Sequence, residues 1–208
     1  MTEPELFILA DRTLNAVVQQ IGDGQWGLAI PDWLSIGRVS RDGLDLRTLV
    51  NYHAYDDIWV PDMVAGRTMA EVGADRWKDE DLLGDDPRGS FARIVDAAVA
   101  AAGGLTPEQL SRTAHLSFGD FTVREYFWQI TQFRTFRAYE FAVLIGADPD
   151  LPADLVQGVW DQLLPHVEEW RAIGVFGPAV DVPEDAPMQD RLLGLTGRQP
   201  RPYPADGH

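Results

Sequence analysis

His53 and Asp57 stand one helical turn apart in the run Leu49-Val50-Asn51-Tyr52-His53-Ala54-Tyr55-Asp56-Asp57. An imidazole and a carboxylate at i and i+4 project from the same side of a helix, so the pair can share a metal ion or a proton. The competing reading of His53 is a core histidine hydrogen-bonded by its neighbours. A second chemical group lies in Phe133-Arg134-Thr135-Phe136-Arg137-Ala138-Tyr139-Glu140. Helical periodicity puts Tyr126, Ile130, Phe133, Arg137, Glu140 or Phe141, and Leu144 on one inward stripe. An arginine on such a stripe needs a counter-charge, because a buried cation without one is costly. Glu140, three residues on, and Asp57, from the facing helix, are the candidates. A structural ion pair and an anion-binding arginine at the bottom of a pocket both satisfy this pattern. His115 has no acidic partner nearby in sequence and is expected to be exposed. Trp26, Trp33 and Trp59 are close enough in sequence to line one cleft, although tryptophans so placed more often form core and rim.

Helices must position these groups. The first is expected over residues 4–21, with Thr2 as N-cap, Glu3 and Glu5 at the positive end of the dipole, and an apolar face of Leu6, Leu9, Ala10, Leu14, Val17, Val18 and Ile21. Gly22-Asp23-Gly24 stops it, and a loop carrying Trp26, Pro31, Trp33 and Gly37 follows. A second helix opens at Asp45 and continues to Ala65, with Gly66 as its stop and a kink or break at Pro61. Leu46, Leu49, Val50, His53, Asp57, Val60 and Val64 form its inward stripe. Residues 71–88 read as a long acidic loop. Ser90 caps a third helix through Phe91, Ile94, Val95, Ala98 and Val99, ended by Gly103-Gly104. Thr106-Pro107-Glu108 reads as a short capped turn. Thr122-Val123-Arg124-Glu125 matches a capping box and opens a long helix to Ile145. A last long helix is expected over 153–173, then a proline-rich stretch with one short helical piece at 188–195. No internal repeat and no strand of convincing length appear, so the fold class is all-α.

Composition narrows the function. The net charge of −16 and the single lysine, Lys78, argue against nucleic acid and anionic membrane surfaces. Without cysteine there is no disulfide, thiolate metal site or cysteine nucleophile. No apolar stretch approaches the ~20 residues of a membrane span, and the acidic N-terminus does not resemble a secretory signal. The expected location is the cytoplasm, and the preference for Arg over Lys suggests a GC-rich bacterial genome. No phosphate-binding glycine loop or nucleophile elbow is present.

Three segments carry a likeness to a known family. They are Leu49-Val50-Asn51-Tyr52-His53 with Trp59 and Met63-Val64-Ala65-Gly66; Gln129-Ile130-Thr131 through Tyr139-Glu140-Phe141-Ala142 to Gly146; and Gly174-Val175-Phe176-Gly177-Pro178-Ala179-Val180 with Asp190-Arg191-Leu192-Leu193-Gly194-Leu195-Thr196-Gly197-Arg198. Together they resemble the DinB-like superfamily, in the group related to the N-terminal domain of mycothiol-dependent maleylpyruvate isomerase. The resemblance implies an up-down four-helix bundle over residues 1–198, with extra short helices, and a flexible tail at 199–208. It implies a divalent metal, zinc or nickel, held by a His on the second helix, which matches His53. The other two ligand positions, four apart on a later helix, fall on Phe133 and Arg137, neither of which can ligate. The family's Trp-Asp becomes Tyr139-Glu140. The expectation is therefore a metal-free small-molecule-binding protein with no cofactor. Its pocket lies near His53 and Arg137, with Asp57, Trp59, Phe133 and Glu140 around an acidic or thiol ligand. The alternative is a mycothiol-dependent isomerase or S-transferase, with His53 as base and Arg137 as electrostatic partner, or with a metal site rebuilt at His53. Wide apolar helix faces leave a homodimer open.

Overall fold

Capping explains where most of the helices begin. In a computed structural model that describes residues 1–35 and 41–200, Thr2 opens α1 (Glu3–Val18), its N–H donating to Glu5 Oε2 at 2.7 Å. Asp45 opens α2 (Leu46–Ile58), accepting from the Thr48 N–H at 2.8 Å. Trp59 ends α2, and α3 (Val60–Val64) starts at once with Pro61 in its first turn, where a missing N–H costs nothing. The break expected at Pro61 is thus present. A single turn, α4 (Met69–Val72), lies just before the acidic loop.

The third long helix, α5 (Pro87–Ala102), begins earlier than Ser90. Asp86 caps it by accepting from the Gly89 N–H at 3.0 Å, and Pro87 fills the first position. After α6 (Pro107–Leu110) the chain forms a small antiparallel hairpin, β1 (Thr113–Leu116) and β2 (Gly119–Thr122). The sequence reading missed this hairpin, because four-residue strands leave too short an alternation to detect. Its register pairs His115 with Asp120, whose Oδ1 lies 2.8 Å from His115 Nδ1; the acidic partner thus comes from strand pairing rather than sequence adjacency.

Thr122 ends β2 and caps α7 (Val123–Ile145): its N–H donates to Glu125 Oε2 at 2.7 Å, and its Oγ1 accepts from the Glu125 N–H at 3.2 Å. Gly146, at φ +75°, closes α7 in the left-handed region. Losing this cap is expected to cost about 1 kcal/mol. Thr122→Ala should therefore melt roughly 2–4 °C below the parent by circular dichroism.

The helix expected as one piece over 153–173 is two, α8 (Ala153–Leu163) and α9 (Val167–Ala172). Pro165 lies between them, where it offers no N–H and its ring clashes with the preceding turn. The last element is α10 (Met188–Leu195). Gly37, and the tail from residue 201 onward, lie outside the described residues.

The protein is mostly helical, and α7 is its axis. α1 packs against α7 and α5, and α2 packs against α5. Leu14, Val18, Leu49, Val50, Phe91 and Phe141 fill one part of the core. Leu6, Phe136, Tyr139, Leu155, Val159 and Leu192 fill a second, where α8 and α10 close on α7. Phe7, Trp59, Val60, Met63, Ala98 and Phe127 fill a third. Because α7 contributes to all three, it is buried on nearly every side. Among the described residues no helix is long and apolar enough to cross a membrane.

Candidate functional site

The largest fully buried side chain is Arg134, on α7. Its Nε donates to Asp57 Oδ1 at 2.9 Å and to Asp11 Oδ1 at 3.2 Å; Nη2 also donates to Asp57, and Nη1 to the Ile130 carbonyl at 3.1 Å. The guanidinium carbon lies 5.0 Å from the Phe7 ring centre. One cation thus faces two carboxylates from α1 and α2, all three fully buried. Burial pushes both carboxyls up. Asp11 is pushed well above the ordinary 3.8, first by burial and then by the adjacent Asp57, so of the two Asp11 holds a proton more tightly, while Asp57 makes the closer contacts to Arg134.

One turn along α7 lies a second cluster of the opposite balance. Arg137 Nε donates to His53 Nε2 at 3.1 Å, and its Nη1 donates to Glu140 Oε2 at 3.0 Å. Glu140 Oε1 also accepts from Arg198 Nε at 3.0 Å. Two guanidiniums therefore share one carboxylate, and burial followed by Arg198's charge lowers the pKa of Arg137. Burial, then Arg137, then Arg134 hold His53 well below its ordinary 6.5, so the ring is neutral. Since Arg137 only donates, Nε2 is the accepting nitrogen and the proton sits on Nδ1.

This geometry does not fit a divalent metal. The lone pair that His53 would offer through Nε2 is taken by Arg137, and Asp57 is held by Arg134. Phe133 offers no donor atom. Among the described residues no three His, Asp or Glu side chains gather as ligands.

Arg137 reaches Glu140, as the sequence suggested, while Asp57 is paired with Arg134 instead. Phe133 does not lie on an inward stripe: it is 41% exposed and faces a cleft. That cleft, of about 660 Å³, opens between α2, the hairpin, α7 and α9. Trp59 lines it as well, but Trp26 and Trp33 do not; they pack with the Leu14 part of the core. The aromatic walls are braced from behind. Trp128 meets Trp170 edge-on at 5.0 Å, Phe133 lies 6.0 Å from Trp170, and Trp170 stacks on Phe176 at 5.9 Å. Trp59 is fixed edge-on against Trp77 at 4.8 Å.

Asp56 is the only charged side chain among the described residues lining this cleft. Its neighbour Asp57 points into the core, whereas Asp56 stays accessible to water through the cleft mouth. Protein surrounds its other sides, and burial raises its carboxyl to about 6, against the pull of Arg134. It remains largely ionised at neutral pH. Among the described residues no hydrogen bond or ion pair engages it. A second groove, of about 430 Å³, is lined by charged side chains of both signs, Arg47 and Lys78 beside Asp79, Glu80 and Asp81, with Asp81 bound by Arg47 at 2.7 Å.

Set against known proteins, the chain matches no family model, no curated protein and no solved structure.

Proposed function

We propose that the protein is a metal-free small-molecule-binding protein of DinB-like four-helix-bundle architecture, and that its ligand occupies the aromatic cleft between α2 and α7. The observation that carries this reading is the cleft itself, about 660 Å³ with braced aromatic walls and one unpaired carboxylate. Its size lies within the range of small-ligand sites, and a mostly apolar lining with few polar groups is the common composition of such sites. The four long helices α1, α2, α5 and α7 support the bundle reading. The absence of a metal from the reading is supported by the hydrogen bond that occupies His53 Nε2. A mycothiol-dependent isomerase or transferase needs His53 as a base, and that lone pair is already committed to Arg137. The ligand pocket is therefore placed at Phe133 and Trp59 rather than at His53 and Arg137.

Titration with the neutral fluorophore N-phenyl-1-naphthylamine tests the proposal. Saturable one-to-one enhancement, weakened by Phe133→Ala and unchanged by EDTA, is expected. Zinc or nickel retained at one ion per chain after dialysis would refute the metal-free reading. Absence of saturable binding would refute the cleft.

A further inference from the structure

We infer that the ligand of the cleft is an amphipathic organic cation, whose protonated amine or quaternary ammonium head pairs with Asp56 while its apolar body lies among Trp59, Trp128, Phe133 and Trp170. The inference rests on the cleft being a ligand site, as proposed above.

The charge pattern points to a cation. The buried acids already have partners: Asp57 and Asp11 hold Arg134, and Glu140 holds Arg137 and Arg198. Asp56 has none, and its nearest strong field, that of Arg134, is spent on Asp57 and Asp11. An anionic ligand would meet no Arg, Lys or His among the described lining residues, within a chain of net charge −16. A neutral ligand filling the cleft would strip water from Asp56 and supply no counter-charge, which is costly. A bare metal ion would find a single carboxylate among rings, whereas calcium and magnesium require six or more oxygen ligands.

The aromatic rings favour the same ligand. Indole and benzyl faces attract cations through the negative face of the ring, and they bind alkylammonium heads that remain weakly hydrated. Trp128 and Trp170 are held edge-to-face, so one indole presents its face where the other presents its edge. The remaining volume accommodates an aryl or alkyl body beyond the head group.

Three probes of similar size separate the possibilities: phenethyltrimethylammonium, 2-phenylethanol and 3-phenylpropionate, each titrated into the full chain by calorimetry or tryptophan fluorescence. The cation should bind about tenfold or more tightly than the alcohol, and the anion least. Asp56→Asn should weaken the cation about tenfold and not weaken the alcohol, with no loss of melting temperature. Should that variant fail to fold, ionic strength decides on the parent protein: added salt should weaken the cation and not the alcohol. Equal binding of cation and alcohol, or indifference to both Asp56→Asn and salt, would overturn the cationic ligand while leaving the cleft as a neutral binding site. Failure of all three probes and of the neutral dye would overturn both readings.

Discussion

Replacing Arg134 with methionine lowers stability by about 3–5 kcal/mol, because it leaves Asp11 and Asp57 facing each other in the core with no cation. The melting temperature should fall by roughly 6–20 °C. The contrast with Asp11→Asn makes the test specific. Asp11 holds a proton more tightly than Asp57, so an amide that is neutral and still donates a hydrogen bond should change stability by less than about 1 kcal/mol. Asp57→Asn removes the closer partner of a buried guanidinium and should resemble Arg134→Met. The sign of the pH dependence follows. The folded state holds the Asp11 proton more tightly than the unfolded chain, so its contribution is complete below the ordinary 3.8 and is lost as pH rises through the raised folded value. Denaturant midpoints measured across that window should decline for the parent and decline less steeply for Asp11→Asn, where the raised Asp56 and Asp57 still contribute. Equal damage from Asp11→Asn and Asp57→Asn would show that the two carboxyls are equivalent.

Glu140→Ala should be comparably damaging, at about 3–5 kcal/mol, by the opposite imbalance. Among the described residues it is the only anion bridging Arg137 and Arg198, and Arg198 is further held 4.1 Å from the Phe136 ring centre. Truncation leaves two guanidiniums against a neutral imidazole. Adding Arg198→Met should recover part of the loss, because one cation then remains with His53 as its acceptor. A thermal-melt double-mutant cycle reads the coupling directly, and additive losses would mean that the two residues do not share the carboxylate.

The helices were legible because their starts carry local chemistry. Asp45 and Thr122 cap as their side chains suggest, and Pro61 breaks the chain where its missing N–H requires. Asp86 was overlooked although Pro87 follows it, a pairing that marks a first helical turn. The phase of α7 was not legible. A helix buried nearly all round has no polar side to fix its rotation, so the stripe read through Arg137 leaves out Arg134, the fully buried cation. The missed signal lay on α1, where Asp11 falls four residues after Phe7 and three before Leu14, on an otherwise apolar face. A carboxylate there demands a buried cation or a proton. The cleft had no comparable local mark. Its walls come from α2, a hairpin too short to recognise, α7 and α9, and the packing of Trp128 and Phe133 against Trp170 joins α7 to α9 across a wide gap in sequence.

Thr122 belongs to two elements at once, paired with Thr113 across the hairpin and closing the first turn of α7. The Val123 N–H also donates to the Arg112 carbonyl at 2.9 Å, tying the hairpin's base on the other side. Swinging the hairpin outward would break strand pairing and helix start together, so the hairpin is tied at its base. What turns at the threshold are single rings, Phe118 at 68% and Phe133 at 41% exposure. Exposed side chains rotate in picoseconds to nanoseconds, far faster than loop gates open, so a ligand of the proposed kind would reach the cleft on encounter rather than after a wait.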